Sequence, residues 1–153
     1  MIVKCSHPVV EMTLSQLREA GRDRCEGVML WLGRPTGDYI DVVDAYRPEQ
    51  VAREDMFHIP RASMNMLYGE LRRRRLMVAA QVHSHPQEAF HSRADDHWAI
   101  IRHEGALSLV VPYFASNTTV DNFLDQTKIF QFAGDARWTE VPRLDTHSWF
   151  QIT

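Results

Sequence analysis

Residues 76–86, Leu-Met-Val-Ala-Ala-Gln-Val-His-Ser-His-Pro, decide the fold. The first seven residues are apolar apart from Gln81, and a short run of this kind is typical of a strand buried on both faces in the middle of a sheet. Pro86 has no N–H to donate to a neighbouring strand, so the strand must end there. The sequence therefore predicts a central strand over 76–82 that carries two histidines to its end.

The segments on either side of this strand alternate between helical and strand patterns. Apolar or β-branched runs predict further strands, and apolar residues three and four positions apart predict helices. The predicted strands cover 27–32, 39–46, 106–111, 128–132 and 137–141, with a turn at 33–37, and the predicted helices cover 13–20, 60–71 and 92–103. This alternation predicts an α/β fold with a mixed central sheet flanked by helices.

Length, composition and charge narrow the class of protein. The chain has 153 residues, of which 44% are hydrophobic, and so corresponds to a single globular domain over 1–153. Its net charge of -3 argues against nucleic acid as the main partner. No apolar run reaches the roughly 18–20 residues that span a bilayer, and no signal peptide is visible. We therefore expect a cytoplasmic protein that uses no membrane, with Cys5 and Cys25 as reduced thiols.

The two histidines at the end of the central strand form a candidate metal site. In a strand, side chains two positions apart point to the same face, so His83 and His85 are aimed to one side with Cα atoms about 6.5–7 Å apart. This spacing suits two imidazoles converging on one metal ion. A strand end that leads into a loop is also where sites open to substrate are built.

A second motif follows seven residues after His85. Ser92-x-x-Asp95 is typical of a helix N-cap with an acid in the first turn, but Asp95 is also suited to be a third, oxygen ligand. The two interpretations are compatible, because capping fixes the position of the carboxylate. Two histidines and one carboxylate leave the fourth position of a tetrahedral zinc ion for water, which is typical of a catalytic site.

His83-x-His85-Pro86 followed by Ser92-x-x-Asp95 resembles the JAMM motif of the JAB/MPN zinc metalloproteases, whose motif also has an upstream Glu. The resemblance covers roughly residues 13–112. It implies a mixed sheet flanked by helices with a cytidine-deaminase-like core. It also implies Zn²⁺ as cofactor, and an activity like that of deubiquitinating isopeptidases and their bacterial relatives.

The resemblance also implies roles for individual residues. Glu26, directly before the strand at 27–32, corresponds best to the general base that takes a proton from the zinc-bound water, and Ser92 to a donor for the oxyanion. The chain departs from the family pattern, because the interval from the second His to the Ser is seven positions instead of eight. Keeping the usual His-to-Asp interval would select Asp96 over Asp95, but it would put Arg93 where the Ser belongs.

Two other carboxylates, Glu19 and Asp23, are weaker candidates for the base because they lie farther from the strand, and His91 could line the mouth of the pocket. The leading hypothesis is a zinc isopeptidase or peptidase that cleaves the amide after the C-terminus of a ubiquitin-like protein. Its setting would be a bacterial conjugation pathway, with E1- or E2-like enzymes as possible partners. Three alternatives stay open: a zinc peptidase that trims a sulfur-carrier tail, a non-catalytic scaffold of the same fold, and a metal-binding module of unrelated fold.

Overall fold

The computed structural model describes residues 2–54, 57–90, 100–135 and 137–153. The strands are β1 (Ile2–Cys5), β2 (Val28–Thr36), β3 (Tyr39–Tyr46), β4 (Val51–Ala52), β5 (Phe57–His58), β6 (Met77–Ser84), β7 (Leu107–Val111), β8 (Lys128–Phe132), β9 (Trp138–Glu140) and β10 (Phe150–Ile152). The helices are α1 (His7–Arg22), α2 (Arg61–Arg74), α3 (Phe123–Gln126) and α4 (Thr146–Trp149). Short 3₁₀ turns lie at Tyr113–Ala115 and Arg143–Asp145.

Eight of the described strands form one mixed sheet in the order β10-β1-β3-β2-β6-β7-β8-β9. The β10–β1, β1–β3 and β6–β7 pairs are parallel, whereas the other neighbours are antiparallel. A separate two-stranded sheet pairs β4 with β5. The mixed α/β fold and the central position of β6 are therefore confirmed.

The core lies on both faces of this sheet, and the side chains of β2 point alternately into its two halves. Met29 and Trp31 face the cluster that includes Leu14 and Leu17 of α1, whereas Val28 and the other alternate side chains of β2 face the cluster built on α2. This alternation follows from the twofold side-chain period of a strand. The antiparallel register pairs Val28 with His83, so His83 lies on the α2 face.

The first helix begins six residues earlier than the predicted start at Thr13. Ser6 occupies the N-cap position and Pro8 lies in the first turn, where a proline loses no helical hydrogen bond. Thr13 lies inside the helix, so the helix start predicted at Thr13 is wrong. Its hydroxyl donates to the carbonyl of Val9 at 2.8 Å and accepts from Trp31 Nε1 at 2.9 Å, which ties α1 to β2.

The turn predicted at 33–37 is also displaced, because β2 continues to Thr36 and the reversal is made by Gly37 and Asp38. Gly37 has a φ of +64°, a conformation that glycine adopts without a Cβ penalty. Pro35 is tolerated because β2 pairs with β6 only as far as Gly33, so the missing N–H of Pro35 breaks no bond on that side.

The predicted helix over 92–103 lies largely outside the described residues, since 91–99 are not described. Its last part is wrong, because residues 100–103 are not helical. The N–H of Ile100 donates to Gln81 Oε1 at 3.0 Å, where a helix would have used a backbone carbonyl. The strands predicted over 128–132 and 137–141 appear as β8 and β9, which pair antiparallel.

A left-handed turn follows β7. Tyr113, Phe114 and Ala115 have φ values of +54°, +52° and +62°, which L-residues with a side chain rarely adopt. This conformation costs about 1–2 kcal/mol per residue, so surrounding contacts must hold it in place.

Candidate functional site

Glu26 is the residue that immediately precedes β2, and its side chain is only 2% exposed. Its N–H donates to the carbonyl of Arg53 at 2.6 Å, so the residue that follows β4 is hydrogen-bonded to the residue just before β2. The weaker candidates differ in their surroundings: Glu19 on α1 and Asp23 just after it are both exposed. Among the three carboxylates considered for the general base, Glu26 alone is buried.

Two hydrogen bonds join the start of β2 to the end of β6. Gly27 N–H donates to Ser84 Oγ at 3.1 Å, and Ser84 N–H donates to the carbonyl of Gly27 at 3.1 Å. Because the register pairs Val28 with His83, the antiparallel alignment continues to bring Glu26 opposite His85. Ser84 therefore fixes the backbone from which the Glu26 side chain projects.

The side chains of His83 and His85 lie together in the interior, at 0% and 1% exposure. Their ring centroids are 5.1 Å apart, as the two-residue spacing predicts. Nε2 of His85 lies 3.9 Å from Oε1 of Glu26. The structure thus brings three of the predicted site residues, Glu26, His83 and His85, into one cluster at the end of β6.

Two phenylalanines flank this cluster on different sides. Buried Phe57 of β5 packs against His83 with ring centroids 5.2 Å apart, and half-exposed Phe90 meets the edge of His85 at 4.6 Å. Apolar walls lower the local dielectric constant, which strengthens interactions between a carboxylate and an imidazole. The cluster is therefore buried around His83 and approaches the surface beside Phe90.

The residue that precedes β4 is hydrogen-bonded to the start of β2. The side-chain amide of Gln50 pairs with Val28 in the manner of a neighbouring strand: Oε1 accepts from Val28 N–H at 2.8 Å, and Nε2 donates to the Val28 carbonyl at 3.1 Å. Beside this contact lies a cavity of about 510 Å³, lined by Arg47, Pro48, Glu49, Gln50, Val51 and Pro60.

Comparison with known proteins supplies a family. No protein-family model matches the chain. A protein of Sinorhizobium fredii (strain NBRC 101917 / NGR234) named "Probable metalloprotease y4jG" is 32% identical over 139 residues, which cover 87% of this chain and 83% of that protein. The chain belongs to this metalloprotease family.

The fold of this protein also resembles a solved structure. The solution structure of protein DSY2949 from Desulfitobacterium hafniense superposes with a TM-score of 0.72, covering 99% of this chain and 93% of that one at 18% identity. At that identity the likeness concerns the fold alone. In the part of the chain that the structure describes, no helix is both long and apolar enough to cross a membrane.

Membership of a metalloprotease family implies a metal cofactor. The described side chains show whether suitable ligands are present. Two buried imidazoles side by side are ligand types that suit zinc. Within residues 2–54, 57–90, 100–135 and 137–153, however, no group of three or more His, Cys, Asp or Glu side chains forms a complete metal site. The predicted residues Ser92, Asp95, Asp96 and His91 all lie outside the described residues. The described part of the chain thus offers two side chains of a type that binds zinc, His83 and His85, and the predicted third ligand is not among the described residues.

The buried thiol of Cys5 is not a further candidate ligand. Burial raises the pKa of Cys5 to about 12, and the nearby Asp41 carboxylate adds to the shift. A thiol must lose its proton to bind zinc, so Cys5 stays a neutral core side chain at physiological pH.

Several residues that support the site carry no local sequence signal. Gln50 lies 22 positions from Val28, whose backbone N–H and carbonyl it binds. Ser84 stands inside the His-x-His motif and could have been singled out by its position between the histidines. Phe57 and Phe90 are recognisable only once the fold places them beside the imidazoles.

Proposed function

We propose that this chain is a zinc-dependent isopeptidase or peptidase that cleaves the amide bond after the C-terminus of a ubiquitin-like protein. The observation that supports this proposal best is the buried carboxylate of Glu26, 3.9 Å from Nε2 of His85, whose ring centroid lies 5.1 Å from that of His83. Membership of a metalloprotease family supports peptide-bond hydrolysis, and the resemblance of the motif supplies the finer substrate class.

In this proposal His83, His85 and Asp95 hold the zinc ion. A bound zinc ion would supply a Lewis acid that polarises the scissile carbonyl and makes water more acidic. Asp95 is preferred to Asp96 because Ser-x-x-Asp is a local helix-start pattern that a one-residue deletion in the preceding loop leaves intact.

Glu26 acts as the general base and Ser92 as the donor to the oxyanion. The Glu26 carboxylate takes a proton from the attacking water and passes it to the leaving amine, which completes hydrolysis without net change in the enzyme. Ser92 donates a hydrogen bond to the negative charge that develops on the carbonyl oxygen.

The extended C-terminal tail of the substrate would lie beside the β4–β5 hairpin. This hairpin contacts both catalytic elements, since the carbonyl of Arg53 accepts from Glu26 N–H and Phe57 packs against His83. Extended peptides bind at strand edges through main-chain hydrogen bonds, which suits a flexible tail. The cavity of about 510 Å³ beside Gln50 and Val51 gives room for a tail side chain.

The test is Glu26→Gln, which keeps the shape of the side chain but cannot take a proton. We expect kcat for a ubiquitin-like protein joined to a lysine side chain to fall by about 10²–10⁴-fold, with zinc content unchanged. Glu19→Gln and Asp23→Asn, in the two exposed alternatives, serve as matched controls and should keep full activity.

Unchanged turnover in Glu26→Gln would show that Glu26 is not the base. Absence of zinc from the purified wild-type protein, together with absence of cleavage, would favour a non-catalytic scaffold. Comparing the lysine-branched conjugate with a linear fusion that carries one extra residue separates deconjugation from tail trimming. Exclusive cleavage of the linear fusion would contradict the isopeptidase form of the proposal.

A further inference from the structure

We propose that Arg18 of α1 is a positioning residue for His85, acting through the left-handed turn Tyr113–Ala115. The inference rests on the proposed role of His85 as a metal ligand. Arg18 lies on a helix that packs against the face of the sheet opposite His83. Its effect on the site must therefore pass through the backbone that connects them.

The first step of this connection joins the turn to the segment that carries His85. The N–H of Phe114 donates to the carbonyl of His85 at 2.8 Å, and the N–H of Tyr113 donates to the carbonyl of Gln87 at 2.9 Å. On its other side, His85 N–H donates to the carbonyl of Val111 at 2.9 Å. Both peptide groups of His85 are thus held by residues 111–114.

The second step joins the turn to α1. Nε of Arg18 donates to the carbonyl of Ala115 at 3.1 Å, and Nη2 donates to the carbonyl of Thr118. Gly21, one turn further along the same helix, lies so close that a Cβ there would be 2.5 Å from Cβ of Phe114. The same face of α1 therefore binds the turn through a guanidinium and through close packing.

The conformation of the turn explains why it needs this support. Tyr, Phe and Ala all disfavour positive φ, yet in this turn the N–H groups of Tyr113 and Phe114 donate to the carbonyls of Gln87 and His85. The planar guanidinium of Arg18 has donors in a fixed arrangement that suits two carbonyls at once. A lysine at the same position offers a single ammonium on a flexible stem and would hold the turn less firmly.

Arg18→Met tests the proposal, because it keeps an unbranched apolar stem and removes both donors. Arg22→Met, in the exposed last turn of the same helix, is the matched control. In the metal-free protein we expect the amides of His85 and Phe114 to exchange hydrogen about tenfold faster in Arg18→Met than in Arg22→Met. We also expect zinc affinity, measured by competition with a chelator, to fall roughly 10–100-fold, the range known for residues that support metal ligands.

Arg18→Lys should lie between the wild-type protein and Arg18→Met in both measurements, and it replaces Arg18→Met if that variant does not fold. Equal exchange and equal zinc affinity in the Arg18 and Arg22 variants would overturn the proposal. Faster exchange with unchanged zinc affinity would reduce Arg18 to a purely structural role and would also overturn it. If the wild-type protein binds no zinc, the proposed function fails, whereas the exchange comparison still decides whether Arg18 holds His85.

Discussion

Ser84 lies between two candidate metal ligands, but its hydroxyl forms a hydrogen bond with the residue just before the neighbouring strand β2. Its Oγ accepts the N–H of Gly27, which is the residue after Glu26. We expect Ser84→Ala to lower the free energy of unfolding by about 1–3 kcal/mol, because a buried N–H loses its partner. Cleavage should fall about tenfold or more as well, since a small displacement of a catalytic group is costly.

Thr13→Val is the matched control for this prediction. It removes a buried hydroxyl that accepts from Trp31 Nε1 on the α1 side of the sheet, away from Glu26. Its stability, followed by urea denaturation, should fall by a similar amount while kcat/KM at 25 °C stays at the wild-type value. Equal kcat/KM in both variants would show that Ser84 does not position Glu26.

The residues that form the described cluster could be predicted from the sequence because each belongs to a local pattern. The two-residue spacing of His83 and His85 in a strand is enough to place their rings together, and Glu26 stands at the start of an apolar strand. The supporting residues could not be predicted in this way. Gln50 and Arg18 bind backbone N–H and carbonyl groups. Almost every residue type carries these groups, so the sequence does not show which residue is the partner.

At the scale of elements, β2 and β3 depend on a glycine at the point where their register shifts. A Cβ at Gly33 would lie 2.7 Å from the carbonyl oxygen of Asp41 and 2.8 Å from Cγ2 of Ile40. We expect Gly33→Ala to destabilise the protein by about 1–3 kcal/mol, because the crowding involves backbone that cannot move freely. The shift of the urea midpoint measures this effect.

Gly69 in the middle of α2 provides the matched control. Apart from its chain neighbours and the backbone of its own helix, a Cβ there would meet no atom of the described residues within 4 Å, and alanine favours a helix more than glycine does. Gly69→Ala should therefore stabilise the protein by about 0.5–1 kcal/mol. An unchanged or raised urea midpoint in Gly33→Ala would contradict the assignment of Gly33 as a site of close backbone approach.

Elements with local signals were predictable, and elements defined by distant pairing were not. Strands β3 and β8 appear at the predicted residues, because β-branched and aromatic runs flanked by turn residues mark them. Strands β1 and β10, by contrast, are four and three residues long and pair with each other from opposite ends of the chain. Neither is long enough to show a period, so only the folded sheet defines them.

At the scale of the whole molecule, the sheet brings Glu26 and the two histidines together from strands that lie more than fifty residues apart in the sequence. Such a site cannot exist in the unfolded chain, so a metal that binds it must stabilise the fold. At zinc concentrations of 100 times the dissociation constant, the gain is about 2.7 kcal/mol. For a chain of this length that corresponds to a rise of about 5–10 °C in Tm.

We therefore expect zinc to raise the Tm of the wild-type protein and to leave that of His85→Ala nearly unchanged. Comparing each variant with and without zinc removes the loss of packing that the substitution itself causes. His147→Ala, at an exposed histidine of α4, should respond as the wild-type protein does. The chain has 8 histidines, so a full response in His85→Ala would mean that zinc binds elsewhere, and the proposed metal site at the end of β6 would then be wrong.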